Sequence, residues 1–258
     1  MEEKRGDFVT PKELAKAINQ YIRPQTFPLS FKFGDDERAR KLKDLTICQI
    51  YNISRKYGWF LKFDVETTCP LGVIAYGFAE PDELYKSGKL AYEAGYAMDQ
   101  EIGKKFEEVV PKLSGYKSCL VAPLEREDFI ANPDFVVVYA TPAQILRFVH
   151  AYLYNKGGKV ETSILGRGAC AEFLEAFINK KLKILIPCYG DRLFGLTQDH
   201  EMAVAFPFEI AEEIAKGLEE THKRGIRYPV PNTALRVALP MIESYKKSVE
   251  SMRKPREG

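Results

Sequence analysis

The sequence predicts an α/β or α+β fold, a single integrated domain with a mixed sheet flanked by helices. Three observations predict it. Strand-length apolar runs at 116–123, 135–140 and 202–206 alternate with segments whose apolar residues recur at helical spacing. Thr10-Pro11-Lys12-Glu13 and Thr141-Pro142-Ala143-Gln144 both carry capping-box chemistry with proline at the first helical position. Residues 159–187 read as a strand, helix, strand unit. With 258 residues, 45% of them apolar, the chain has material for a real core, which excludes disorder and a disulfide miniprotein. No repeat, low-complexity tract or linker divides it. The domain is therefore expected to run through residues 1–258, with a core at about 10–220 and a helical tail at 238–258. Two lobes divided near residue 112 are the alternative.

Thr10 starts a helix in which Leu14, Ala15, Ile18, Tyr21 and Ile22 share a face, until Arg23-Pro24 stops it. Leu29, Phe31 and Phe33 alternate in the strand manner, and Gly34-Asp35-Asp36 turns the chain. The charged run at 36–44 reads as a solvated helical face. A helix over 46–57 ends at Gly58, a short aromatic strand follows over 59–63, and Cys69-Pro70 opens another helix. Helices are expected over 81–87 and 99–110, and strands over 116–123 and 135–140 around a polar loop. The helix after Thr141 places Ile145, Leu146, Val149, Tyr152 and Leu153 on one face and closes at Gly157-Gly158. Gln144 and Arg147 lie on its flank, where water is the expected neighbour. A strand over 159–165, a helix over 171–179 and a strand over 183–187 come next. A strand over 202–206 then leads into a helix begun by Pro207, with Ile210, Ala211, Ile214, Ala215 and Leu218 inward.

Charge and cysteine usage narrow the class of partner. Lys and Arg number 38 against 36 Asp and Glu, a formal charge of +2, so nothing in the total calls for nucleic acid or an anionic membrane. No window approaches the roughly 20 apolar residues that span a bilayer, and the first ten residues hold no signal-like apolar stretch. The five cysteines are scattered rather than closely spaced, which fits reduced thiols and a cytoplasmic protein.

Four of those cysteines are the first candidates for chemistry. Cys48 lies on the helix over 46–57, Cys69 directly precedes Pro70, Cys170 follows Gly166-Arg167-Gly168, and Cys188 follows a strand and precedes Tyr189-Gly190. Four thiolates suffice for an iron–sulfur cluster or another thiolate-bound metal when folding gathers them. Cys69 and Cys170, at helix starts, are the most readily deprotonated. Cys119 sits inside an apolar strand and is assigned to packing. The competing reading makes every one of these cysteines a core residue, since no pair has the C-x-x-C spacing.

Gly166-Arg167-Gly168-Ala169-Cys170-Ala171 matches a dinucleotide fingerprint in form, with Asp191 as formal ribose acceptor. The preceding segment is polar, with Lys159, Glu161, Thr162 and Ser163, which disfavours a dinucleotide. The same turn can present amides, with Arg167, to any small anionic molecule, and Arg192 in Pro187-Cys188-Tyr189-Gly190-Asp191-Arg192 offers a second guanidinium at a strand exit. The histidines at 150, 200 and 222 show no H-E-x-x-H spacing, and no Gly-x-Ser-x-Gly elbow or Walker loop occurs. Cys170 or Cys188 as a nucleophile, the latter with His200, is a further alternative, because such partners meet in space.

Several segments together carry a resemblance: Cys48-Gln49, Tyr57-Gly58, Cys69-Pro70-Leu71-Gly72, Ala122-Pro123, Pro133 to Val137, Pro142-Ala143-Gln144, Cys170, and Pro187 to Arg192. Over residues 10 to 220 the chain resembles the uncharacterised, largely archaeal and anaerobic-bacterial domain of unknown function 169 family. The resemblance implies a cytoplasmic single-domain protein whose pattern includes the positions of Cys48, Cys69, Cys170 and Cys188. It brings no activity with it. The leading expectation is a metal- or iron–sulfur-binding protein with a redox or electron-transfer role. The alternatives are a small-anion-binding protein using Gly166, Arg167, Gly168 and Arg192, with structural cysteines, and a thiol enzyme.

Overall fold

Local chemistry starts the elements where the sequence places them. The computed structural model describes residues 9–230 and 242–253. Glu13 accepts a hydrogen bond from the Thr10 amide at 2.9 Å while Thr10 accepts from the Glu13 amide, and α1 (Pro11–Tyr21) begins there. After β1 (Leu29–Phe33) and β2 (Arg40–Lys41), Thr46 and Gln49 form a second reciprocal cap for α2 (Ile47–Tyr57), which Gly58 ends in a left-handed conformation at φ 74°. β3 (Leu61–Asp64) leads to α3 (Pro70–Ala75) and to three helices over the following forty-odd residues, α4 (Glu83–Lys86), α5 (Lys89–Glu93) and α6 (Gln100–Val109). Next come β4 (Ser118–Pro123), β5 (Phe135–Ala140) and α7 (Pro142–Leu153), where the Gln144 side-chain Oε1 accepts from the Thr141 amide at 2.8 Å. α8 (Ala169–Asn179), β6 (Lys183–Leu185), α9 (Tyr189–Leu193), β7 (Met202–Pro207) and α10 (Ala211–Lys223) follow.

The strands form one mixed seven-stranded sheet in the order β2-β3-β4-β1-β5-β7-β6. Only β2 and β3 run parallel; all other neighbours are antiparallel. Every residue of β5 is buried, because both faces of the sheet are covered. Phe135, Val137 and Tyr139 point to one core with Ile50 and Tyr51 of α2, Ala75 of α3, and Phe173 and Leu174 of α8. Val136, Val138 and Ala140 point to the other, with Leu14 and Ile18 of α1, Phe148 of α7, and Ile214 and Leu218 of α10. The architecture is a three-layer α/β fold, as expected. No helix among the described residues is long and apolar enough to cross a membrane.

The chain divides into two compact units, Met1–Tyr228 and Pro229–Gly258. The second contains α11 (Glu243–Arg253), which has no buried residue. Residues 238–241 and 254–258 of the expected tail lie outside the described residues.

Two expected elements are absent. The run at 36–44 is not helical: the Asp36 carboxylate accepts from the Arg38 amide at 2.9 Å, closing a local turn, and Arg40–Lys41 form a short edge strand. Residues 159–165 make no strand either. There Thr162 Oγ1 donates to the Ile184 carbonyl at 2.5 Å and Lys183 Nζ to the Ser163 carbonyl at 2.7 Å, so side chains, not a backbone ladder, tie the segment to β6. The expected strand, helix, strand unit is therefore replaced by the antiparallel pair β6 and β7.

Candidate functional site

Folding brings the four candidate cysteines to one region. Cys48 lies in the first turn of α2, Cys170 in the first turn of α8, Cys69 is the cap residue of α3, and Cys188 is the cap residue of α9. All are free thiols; Cys48, Cys170 and Cys188 are buried and Cys69 is partly so. Cys170 lies beside both Cys48 and Cys69, with Cys188 close enough to bear electrostatically on both Cys48 and Cys170.

Backbone amides serve the two outer sulfurs. Cys188 Sγ accepts from the Asp191 amide at 3.4 Å, with the amides of Ala169 and Gly190 beside it. Cys69 accepts from the amides of Gly72 and Ile47. Room for these contacts depends on small residues: a Cβ at Gly72 would stand 2.4 Å from Ile47 and 3.3 Å from the Cys69 sulfur. Cys119 lies apart in β4, fully buried, as a packing residue.

Every one of these thiols is held in its neutral form. The hydrogen bond from Cys170 favours the Cys48 thiolate, yet burial and the nearby Asp191 outweigh it and push Cys48 up to about 11. The neighbouring Cys170 sulfur, together with burial, raises Cys69, and the neighbouring Cys48 sulfur does the same for Cys170. Burial raises Cys188 in spite of its amide donors. The expectation that Cys69 and Cys170 are readily deprotonated is thus corrected, because desolvation and neighbouring sulfur outweigh the helix ends. Among the described residues, no group of three or more His, Cys, Asp or Glu side chains is arranged to hold a metal ion.

A buried polar layer underlies the thiols. Cys48, Tyr51 and Arg55 share one face of α2 at positions i, i+3 and i+7. Arg55 is 1% exposed and binds both carboxylate oxygens of Glu201, at 2.6 and 3.2 Å, while its guanidinium sits 4.0 Å over the Tyr139 ring. Asp191 accepts from Thr197 at 3.0 Å and from Tyr139 at 3.3 Å, and burial raises its pKa. The hydroxyls of Tyr51 and Tyr76 hydrogen-bond to each other in the same interior. Sequence reading missed Tyr51, Arg55, Tyr76 and Glu201. The available signal was an arginine on the apolar face of α2, one turn beyond Tyr51.

The residues expected to take an anion are engaged by the protein itself. Glu172, 1% exposed, accepts from the amides of Leu165 at 2.7 Å and Gly166 at 2.8 Å, so its carboxylate occupies the glycine turn. Arg167 is buried against Glu107. Gly168 caps α8, where a Cβ would stand 2.7 Å from Leu71. Arg192 donates to the Gln198 carbonyl at 2.6 Å and lies 3.8 Å from Asp199, which makes it a loop clamp. His200 is exposed, and no hydrogen bond joins it to Cys188, whose sulfur faces amides.

Comparison with known proteins places the chain in a family. The model of the domain of unknown function 169 (DUF169), described as uncharacterised ArCR, matches residues 17–217. The chain belongs to the DUF169 family. Cys48, Cys69, Cys170 and Cys188 all fall within the matched stretch. A relative, the uncharacterized protein MJ0308 of Methanocaldococcus jannaschii, is 34% identical over 155 residues, covering 58% of this chain and 66% of the relative. The chain thus spans just under two thirds of that relative's length. No solved structure matches the chain.

Proposed function

We propose that Cys48, Cys69, Cys170 and Cys188 are the ligands of a soft metal ion or an iron–sulfur cluster, and that the protein acts in redox chemistry or electron transfer. The observation that supports this reading is the convergence of four thiols from four separated stretches, Cys170 lying beside both Cys48 and Cys69. Cysteines that merely fill a core, as Cys119 does, have no reason to share a neighbourhood. Amide donors to the sulfurs of Cys69 and Cys188 favour anionic sulfur, the form in which it ligates. Bound there, the metal would supply positive charge and, for iron, a one-electron couple. Its arrival would replace the thiol protons and part the Cys69, Cys170 and Cys48 contacts, so uptake should release protons and stiffen the starts of α2 and α8.

Nucleophilic catalysis has less support, since raised thiol pKa values oppose it. An anion-binding role at the Gly166 to Gly168 turn would require Glu172 to leave the amides it already holds.

The test is anaerobic purification followed by elemental analysis and a visible spectrum. Near-stoichiometric iron or zinc, lost in Cys170→Ser while Cys119→Ser retains it, is the expected result. A colourless, metal-free protein that neither takes up ferrous iron and sulfide nor binds zinc on reconstitution would overturn the reading.

A further inference from the structure

On the sheet face opposite the cysteines, a buried cation lacks an anion. Arg147 of α7 is 2% exposed, and desolvation alone lowers its pKa. Nη2 donates to the Leu218 carbonyl of α10 at 3.1 Å, whereas Nε and Nη1, which carry most of the group's donors, have no partner among the described residues. The expectation that this flank of α7 faces water is therefore wrong. Its neighbour Gln144 is also buried, donating to the carbonyls of Ile22 at 2.9 Å and Arg23 at 2.8 Å beyond the end of α1. A guanidinium is almost never buried without an acidic partner, because the desolvation goes uncompensated.

The groups around Arg147 compound the imbalance. His150, one turn on along α7, and His222, on the last turn of α10, each have a buried Nδ1 with no hydrogen-bond partner among the described residues. Arg227 reaches the His222 carbonyl at 3.4 Å, and Arg23 lies near the same imidazole, whose ring packs on Tyr21 with centroids 5.0 Å apart. Three acids of α10 are engaged elsewhere: Glu213 pairs with Lys156 at 2.7 Å, and Glu219 and Glu220 pair with Lys223 at 2.8 and 3.0 Å. Arg147 thus lies near both His150 and His222, with Arg23 and Arg227 also near His222, and none of the ion pairs among the described residues gives Arg147 a carboxylate.

We infer that Arg147, His150 and His222 form a binding site for a small oxyanion, a phosphate or a carboxylate group, between α7 and α10. A planar fork of N–H donors, with two imidazoles each carrying one N–H even when burial and the neighbouring arginines keep them neutral, suits the several oxygens of such a group. α7 and α10 are locked in contact at Gly217, where a Cβ would stand 2.2 Å from the Ala151 carbonyl, so the donors are held in place before any ligand arrives. The inference is independent of the thiol centre and rests on other residues.

Inorganic phosphate and succinate, each against chloride at matched ionic strength, test it by thermal unfolding and by proton NMR of the three histidines. The melting temperature is expected to rise with phosphate or succinate concentration, and whichever acts identifies the oxyanion. His150 and His222 resonances should shift while His200 stays still. Arg147→Met should abolish the response; His222→Asn should weaken binding about tenfold, the loss expected for one charged hydrogen bond. If Arg147→Met fails to fold, His150→Asn with His222→Asn decides the matter. Insensitivity of the wild-type protein to both anions, or a response that survives in these variants, would overturn the site.

Discussion

At the scale of single residues, Arg55 and Glu201 are the pair on which the interior beneath the thiols depends. The Gln198 amide adds a further bond to Glu201 at 2.7 Å. Burial works to raise the Glu201 pKa, but the hydrogen bonds from Arg55 and Gln198 prevail and hold it below the ordinary carboxylate value. An acid with a depressed folded-state pKa stabilises the fold fully above its unfolded pKa, and that contribution is lost as pH falls through the folded value. Denaturant unfolding should therefore show stability flat near neutrality and declining below about pH 4, the usual carboxylate range. Glu201→Gln should flatten that decline and cost about 3 kcal/mol at pH 7, since it strands a buried guanidinium. An unchanged pH profile in that variant would show that other carboxylates govern acid stability. Gly195 constrains the same layer: a Cβ there would stand 2.7 Å from Asp191 Oδ1 and 3.1 Å from the Cys48 carbonyl. These contacts were not legible in the sequence. The cysteines were, as residue types whose chemistry suggested gathering, but Arg55, Glu201 and Glu172 find their partners only through tertiary packing.

At the scale of elements, what could be read depended on whether local chemistry sufficed. α1, α2 and α7 were readable because cap, proline and period agree within a dozen residues. β4 and β5 were readable as apolar runs of strand length. Residues 159–165 misled because a strand-like run becomes a strand only where its backbone pairs with a neighbour, and beside the edge strand β6 side-chain bonds took the place of that ladder. The crossing of α7 and α10 was equally invisible, since a glycine within a helical period reads as a flaw. Alanine at Gly217 would gain about 1 kcal/mol of helix propensity in isolation. Against the Ala151 carbonyl it should instead lose at least about 2 kcal/mol, in the range of overpacked cores. Chemical denaturation of Gly217→Ala checks this, and a stabilised variant would mean that the two helices can separate at little cost.

For the whole molecule, the sheet order sets which parts open last. β5 is paired on both sides and buried on both faces, and β7 is its longest partner. β2 is an exposed two-residue edge. Native-state hydrogen exchange should find the slowest amides in β5 and β7 and the fastest near residues 36–45, with global unfolding limiting only the former. Equal protection of β2 and β5 would contradict that ranking. The short cationic edge at Arg40 and Lys41 also discourages pairing between copies.

The position of β1 has one more consequence. It lies between β4 and β5, Phe31 facing Val121 on one side and Phe135 on the other, although both neighbours come some ninety residues or more later in the chain. During synthesis on the ribosome, Leu29, Phe31 and Phe33 emerge early and have no strand to join until β4 has been translated as far as Pro123. The nascent polypeptide therefore carries an uncovered greasy ribbon for most of its first half, and its yield in a cell should follow the supply of chaperones that shield such ribbons.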